Sequence, residues 1–156
     1  MHMLSSKQQE ILLKGINANR IAKRQGGGGR SLSYLEAWDV KAHLIRIFGF
    51  GQWSWDVTDA QLAYEYESSG KWNVGYKVIG QLRIHTTSAT YSEAAVGSAT
   101  LPQRGEAHDM AIKTAESDAL KRAAINLGDQ FGLSLYNNGG VAPVVKETLV
   151  GNDGTE

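Results

Sequence analysis

Across residues 106–127 the positions Ile112, Ala115, Ala119, Leu120, Ala123, Ala124 and Leu127 recur at helical spacing. Most of this stripe is alanine, whose single methyl adds little thickness, so the predicted helix is suited to lie flat and close on a sheet. Within it the run 116–132, ESDALKRAAINLGDQFG, sets Lys121 beside Arg122 toward the C-terminal end, with Gly128 placed as a C-cap and Gly132 beyond it. Lys113 and Lys121 are eight residues apart with Ser117 between them, which puts all three on one face.

A sheet for that helix is legible upstream. Trp72, Val74, Tyr76, Val78, Leu82 and Ile84 share one parity, interrupted by Gly80, while Lys77, Ile79, Gln81, Arg83 and His85 take the other. Before them Trp53, Trp55 and Val57 alternate, as do Leu62, Tyr64 and Tyr66, and Ser68-Ser69-Gly70 marks a turn. Residues 90–99, rich in small side chains, supply a third strand after a turn at 86–89. Gly75, Gly80 and Gly97 inside strands point to bulges or close backbone approach.

Nearer the N-terminus, 7–22 reads as a helix and 31–35 as a short strand. A second helix is expected over 36–48, with Trp38, Leu44, Ile45 and Phe48 apolar and Gly49 and Gly51 closing it. The four glycines 26–29, flanked by Lys23, Arg24 and Arg30, fit a flexible turn better than a loop approached by phosphate, and no Gly-Lys-Ser/Thr follows them to make a P-loop. The expected fold class is α+β: a β-β-β-α core whose antiparallel meander packs on the long alanine-rich helix, with an N-terminal helix and short strand added. The domain is expected over 1–136, and the polar, glycine-rich stretch 137–156 as a flexible tail.

Sixteen Lys and Arg balance sixteen Asp and Glu, so no global field steers a polyanion, and any such surface must come from local segregation of charge. Segregation is present: residues 1–55 carry eight Lys or Arg against three acids, whereas Asp56, Asp59, Glu65 and Glu67 follow. Cations cluster at Lys23-Arg24, at Lys77 with Arg83, and at Lys121-Arg122, the pattern of a groove that tracks a phosphate backbone. By parity the strand aromatics are mostly core; alternation alone does not say whether one or two are stacking platforms.

The chain has no Cys, which excludes disulfides and Cys-based zinc sites, and no apolar run of the ~20 residues that span a bilayer. With no signal-peptide pattern, an intracellular protein is expected. His108-Asp109 is an adjacent His–acid pair, but no nucleophile elbow or His-Glu-x-x-His accompanies it, and Asp109 is expected to support its helix N-terminus through the dipole. His2, His43, His85 and His108 do not share metal-ligand spacing. No catalytic residue, metal or cofactor is expected.

An ordered set of marks resembles a known family. It runs from the glycine turn 26–29 through Tyr34-Leu35-Glu36, Phe48-Gly49, Trp53, Gly70-Lys71-Trp72, Val74-Gly75 and Val96-Gly97. It ends with Asp118, Leu120-Lys121-Arg122-Ala123, Gly128 and Gly132. Each is weak alone. In this order and spacing, from the first helix to about Tyr136, the chain is similar to the annealing domain of the Rad-fifty-two family of single-strand annealing and recombination-mediator proteins, in a short version of phage or bacterial type.

The resemblance implies a ring of many subunits, with a basic groove that holds single-stranded DNA by its backbone and leaves the bases exposed. It implies ATP-independent annealing of complementary strands in homologous recombination and repair, without bond chemistry. Lys121 and Arg122 match the family's groove-lining pair, and Lys113 and Lys41 join them as candidates for that inner contact. Lys71 matches a second, outer DNA contact, and Arg104 lies near another outer position. Asp39 departs from the family, standing where a basic residue is frequent, with Lys41 and Arg46 nearby; Ile125 likewise stands where a basic residue occurs. The implied partners are single-stranded DNA, further copies of the chain, and a recombinase, exonuclease or single-strand-binding protein, with no membrane. The long partner-binding C-terminal region of eukaryotic members has no counterpart in these 156 residues. The rival readings are a ring that protects DNA ends or scaffolds proteins without annealing, and a small nucleic-acid-processing enzyme using His108 and Asp109.

Overall fold

A capping box starts the first helix, α1 (Ser6–Leu12): Ser5 Oγ accepts from the Gln8 amide at 3.1 Å, and Gln8 Oε1 accepts from the Ser5 amide at 2.9 Å. The computed structural model describes residues 3–150. They divide into two units, one of the residues up to Ser54, Arg83–Ala89 and the residues from Ala124 on, the other of Trp55–Leu82 and Thr90–Ala123.

In the first unit α1 stops at Leu12 instead of running on to residue 22 as predicted. Gly15, Asn17 and Asn19 lie where it would continue, and Asn17 instead accepts from the Asn19 amide at 2.9 Å to cap a short 3-10 turn, Ala18–Arg20. The freed chain forms a strand, β1 (Ala22–Gln25), that the sequence pattern did not indicate. It pairs antiparallel with β2 (Ser31–Tyr34), Ala22 opposite Tyr34 and Gln25 opposite Ser31. The glycine run is the hairpin's turn: Gly28 and Gly29 take φ of 73° and 75°, which a side chain would strain.

Helix α2 (Ala37–Phe48) occupies its predicted span and ends at Gly49, φ 101°. Val40, Leu44, Ile47 and Phe48 are buried, and Phe48 stacks on Phe131 with 6.4 Å between ring centroids. Trp38, expected on the apolar face, is exposed and donates its indole N–H to Glu36. Past residue 136 the chain makes contacts within this unit as far as Val145: the Val145 amide donates to the buried Asp129 carboxylate at 2.9 Å, and Gly15 leaves room for Val141 and Pro143. Residues 151–156 lie outside the described residues.

The second unit is built on a three-stranded antiparallel meander in the order β3-β4-β5, with β3 Trp53–Ser68, β4 Lys71–Ile84 and β5 Ala89–Leu101. Ser69 and Gly70, φ 53° and 75°, form the two-residue turn between β3 and β4. The long helix α3 (Arg104–Ala124) begins two residues before the predicted start and is followed by a 3-10 turn, Ile125–Leu127, closed by Gly128 at φ 99°.

The predicted parity of β4 is observed, and so is the flat seat of the helix. Val74 and Ala99 pack on Ala107 and Ala111; Val78 packs on Ala115 and Ala119, all buried. The close approach is visible at Gly97, where an added Cβ would lie 2.2 Å from the Ala115 amide nitrogen and 2.6 Å from the Ala111 carbonyl oxygen. Glycine is therefore required by contact with helix backbone. Gly80 makes room for the Trp55 indole on the same side of the sheet, and Gly75 for the Tyr64 ring on the other.

Candidate nucleic-acid interface

Four of the six predicted contact residues lie on α3. Lys121 and Arg122 are on its last turn, where side-chain cations oppose the negative end of the helix dipole. That same dipole end is unfavourable to an anion, so any attraction for one there would have to come from these side chains. The Lys121 side chain is 25% exposed and lies 3.1 Å from Asp118; the Arg122 side chain is 51% exposed and lies 3.5 Å from Glu93 of β5. Lys113, two turns earlier, pairs with Asp109 at 2.9 Å.

At the other end of α3, Arg104 grips Glu65 of β3 with Nε at 3.1 Å and Nη2 at 2.8 Å, and its guanidinium lies 4.8 Å from the Trp72 ring centroid. His108 bonds Glu65 through Nε2, while Nδ1 lies 2.6 Å from the Tyr76 hydroxyl. Hydrogen bonds from Arg104 and His108 hold the Glu65 carboxyl below its usual range. This Glu65 cluster was not foreseen. Its signal was present: Glu65 shares the parity of Trp55, which donates its indole N–H to Glu116 of α3 at 2.9 Å, so both face the helix.

His108 and Asp109, adjacent in sequence, turn to different partners and do not form a catalytic pair. Nor does Asp109 serve the helix N-terminus as expected; α3 starts at Arg104, the acid in its first turn is Glu106, and Asp109 pairs with Lys113. Among the described residues no cluster of His or acidic side chains could hold a metal ion.

Lys41 is exposed on α2 in the first unit, and Lys71 is exposed where β4 leaves the hairpin turn. The family departure at Asp39 has a structural explanation. Asp39 is buried and accepts from Arg20 Nη2 at 2.8 Å and Nε at 3.2 Å, with Arg46 3.7 Å away. Arg46 Nε donates to His43 Nδ1 at 3.0 Å, so the ring proton is on Nε2 and is donated to Gln130 Oε1 at 2.8 Å. The Gln130 amide nitrogen completes the chain to the carbonyls of Lys14 and Gly15. Burial pulls the His43 imidazole down to about 4; the Gln130 bond opposes this and the Arg20 and Arg46 charges add to it. Asp39 and Arg46 thus serve an internal network.

Compared with known proteins, residues 5–148 match the family described as Rad52/22 family double-strand break repair protein. The chain is 32% identical over 144 residues to the DNA repair and recombination protein rti1 of Schizosaccharomyces pombe, covering 90% of this chain and 38% of that protein. It is 33% identical over 141 residues to the DNA repair and recombination protein RAD52 of Saccharomyces cerevisiae, covering 88% of this chain and 29% of that protein. The chain therefore spans about a third of the length of these relatives.

Proposed function

The chain belongs to the Rad52/22 family, and from that membership we propose that it binds single-stranded DNA and anneals complementary strands in repair and recombination, inside the cell and without ATP. The observation that carries this reading is the Lys121-Arg122 pair on the last turn of α3, within the matched region. Lys113 extends the inner contact along α3 and Lys41 on α2 is a further candidate for it, while Lys71 and Arg104, which stand on opposite faces of the sheet, are candidates for separate outer contacts. No group on the chain has to make or break a bond. Cations replace the counterions of the phosphates and lower the repulsion between two strands, while bases held unpaired meet their complements at raised effective concentration.

The ion pairs on α3 fit such a role. An exposed pair such as Lys113–Asp109 contributes only about 0.2–1 kcal/mol, so an arriving phosphate displaces that carboxylate at little cost. Repetition of the subunit around a ring turns one modest cluster into a continuous track, and a recombinase, exonuclease or single-strand-binding protein is the kind of partner that would deliver or receive the strands.

The test is an annealing assay with fluorescently labelled complementary oligonucleotides and no nucleotide triphosphate. The expected result is annealing well above the spontaneous rate, lowered by Lys121→Ala. Binding without acceleration would favour an end-protecting or scaffolding ring instead.

A further inference from the structure

Helix α3 sets Lys113 against Asp109, Lys121 against Asp118, Arg122 against Glu93 and Arg104 against Glu65. The last pair differs in that its carboxylate is shared with an imidazole: Glu65 also bonds His108 Nε2. An ionised carboxylate only accepts, so neutral His108 carries its proton on Nε2, and Nδ1 accepts from the Tyr76 hydroxyl at 2.6 Å. A second proton, on Nδ1, keeps both bonds, because the Tyr76 oxygen accepts as well as donates. The ring gains a charge there without losing a partner.

The charge count changes with that proton. With His108 neutral, one carboxylate faces one guanidinium and the cluster sums to zero. With His108 charged, Glu65 faces two cations and neutralises one of them. The surplus lies at the surface: the Arg104 side chain is 62% exposed, against 27% for His108 and 16% for Glu65, so Arg104 is the member that a phosphate reaches. The Trp72 ring, 4.8 Å from the guanidinium, supports Arg104 independently of Glu65. The groups around the ring are few. Strand β3 brings Glu65, with Glu67 further out and exposed; β4 brings Tyr76; β5 brings Ala99 and Leu101, which carry no charge. On α3 itself Arg104 stands one turn earlier, and Asp109 is held by Lys113. Hydrogen bonds from Arg104 and His108 keep the Glu65 carboxyl below its usual range, so it stays ionised where imidazoles change charge, between about pH 5 and 8.

We infer that Glu65 and His108 gate Arg104 as a phosphate contact: Glu65 occupies the guanidinium while His108 is neutral, and yields it to a DNA phosphate once His108 is charged. The inference rests on the reading of Arg104 as an outer contact and adds the regulation of that contact. Strand and proton favour one another by linkage, so capture of a second strand takes up a proton and strengthens as pH falls.

The experiment loads the full chain with unlabelled oligothymidylate and titrates it with a labelled second strand, over a salt series at about pH 8 and about pH 5. Capture by the unaltered chain should be about 1.5- to fivefold tighter at the lower pH, the range of one exposed ion pair, with a salt slope larger by about 0.7. His108→Gln, whose amide still donates to Glu65, should match the unaltered chain at the higher pH and lose the rise. Glu65→Gln should show at the higher pH the slope that the unaltered chain shows at the lower one, and Arg104→Gln should show the smaller slope at both. A rise of the same size in His108→Gln would overturn the inference, as would a salt slope in the unaltered chain that does not change with pH. Weak capture by His108→Gln at both pH values would also overturn it, since that result gives His108 a structural role alone. First-strand loading without second-strand capture at either pH overturns the inference and leaves the single-strand reading standing. A chain that loads no oligothymidylate at all loses that reading as well, so the two failures are distinguishable.

Discussion

Lys121 and Arg122 are separated from their carboxylates by 3.1 and 3.5 Å, and that pairing sets the sign of two opposite experiments. Replacing either cation with Ala should weaken single-strand binding and lower the salt slope by about 0.7, one phosphate's worth. Replacing the acid, as Asp118→Asn or Glu93→Gln, should strengthen binding, because the phosphate no longer displaces a competitor. Filter binding over a salt series checks both, and tighter binding in neither acid variant would place these cations on an ordinary solvated face. His43 gives a prediction for pH. Its imidazole titrates near 4 in the folded chain against an ordinary value of 6.5. Above 6.5 neither state carries the proton. As pH falls from 6.5 toward 4 the unfolded chain takes up a proton that the native one refuses, so stability declines across that window and the decline ends below it. Glu65 acts lower: its contribution is present above the ordinary 4.5 and is lost as pH falls through its depressed value. Urea midpoints of His43→Gln should lose the slope between 6.5 and 4 and keep the lower one.

At the scale of elements, the helix–sheet seat makes a sharp prediction at Gly97. An alanine methyl there meets helix backbone at 2.2 and 2.6 Å, and backbone cannot rotate out of the way as a side chain does. Gly97→Ala should cost about 1–3 kcal/mol by overpacking, read as a lowered denaturation midpoint. Gly105→Ala, on α3 with nothing within 4 Å of the added methyl, should be neutral or stabilise by up to about 1 kcal/mol. The same contrast explains what was legible in the sequence. The parity of β4 and the alanine stripe of α3 are local repeats enforced by a single buried partner, so they showed without a structure. The end of α1 and the existence of β1 depend on Asn17 capping its own turn and on pairing with β2, a choice made between segments. Lys121-Arg122 could be marked from a run of neighbours. Glu65 meets Arg104 and His108 across 39 and 43 residues, and Arg20 meets the Gln130 carbonyl across 110, separations that periodicity cannot register.

For the whole molecule the unresolved requirement is the sheet's edges. Among the described residues the meander has three strands, so β3, 16 residues long, and β5, 13 residues long, each have one side without a strand partner. Long open edges invite indiscriminate pairing, which proteins suppress by covering them or by joining them to a defined neighbour. Repeated head-to-tail contact between copies gives each edge a neighbour and closes into a ring when the rotation per subunit permits. Charge argues the same way. With Lys and Arg balanced by Asp and Glu, one copy holds a polyanion weakly, while repetition adds the contribution of each Lys121-Arg122 pair along a single strand. The expected outcome is a species several times the monomer mass in light scattering without DNA present. Introducing a charge at an exposed position of the edge strand β3, as in Thr58→Lys, should shrink that species while leaving the sheet folded. A monodisperse monomer that still anneals strands would defeat the ring, and the DNA track would then have to be completed by one subunit's own surfaces.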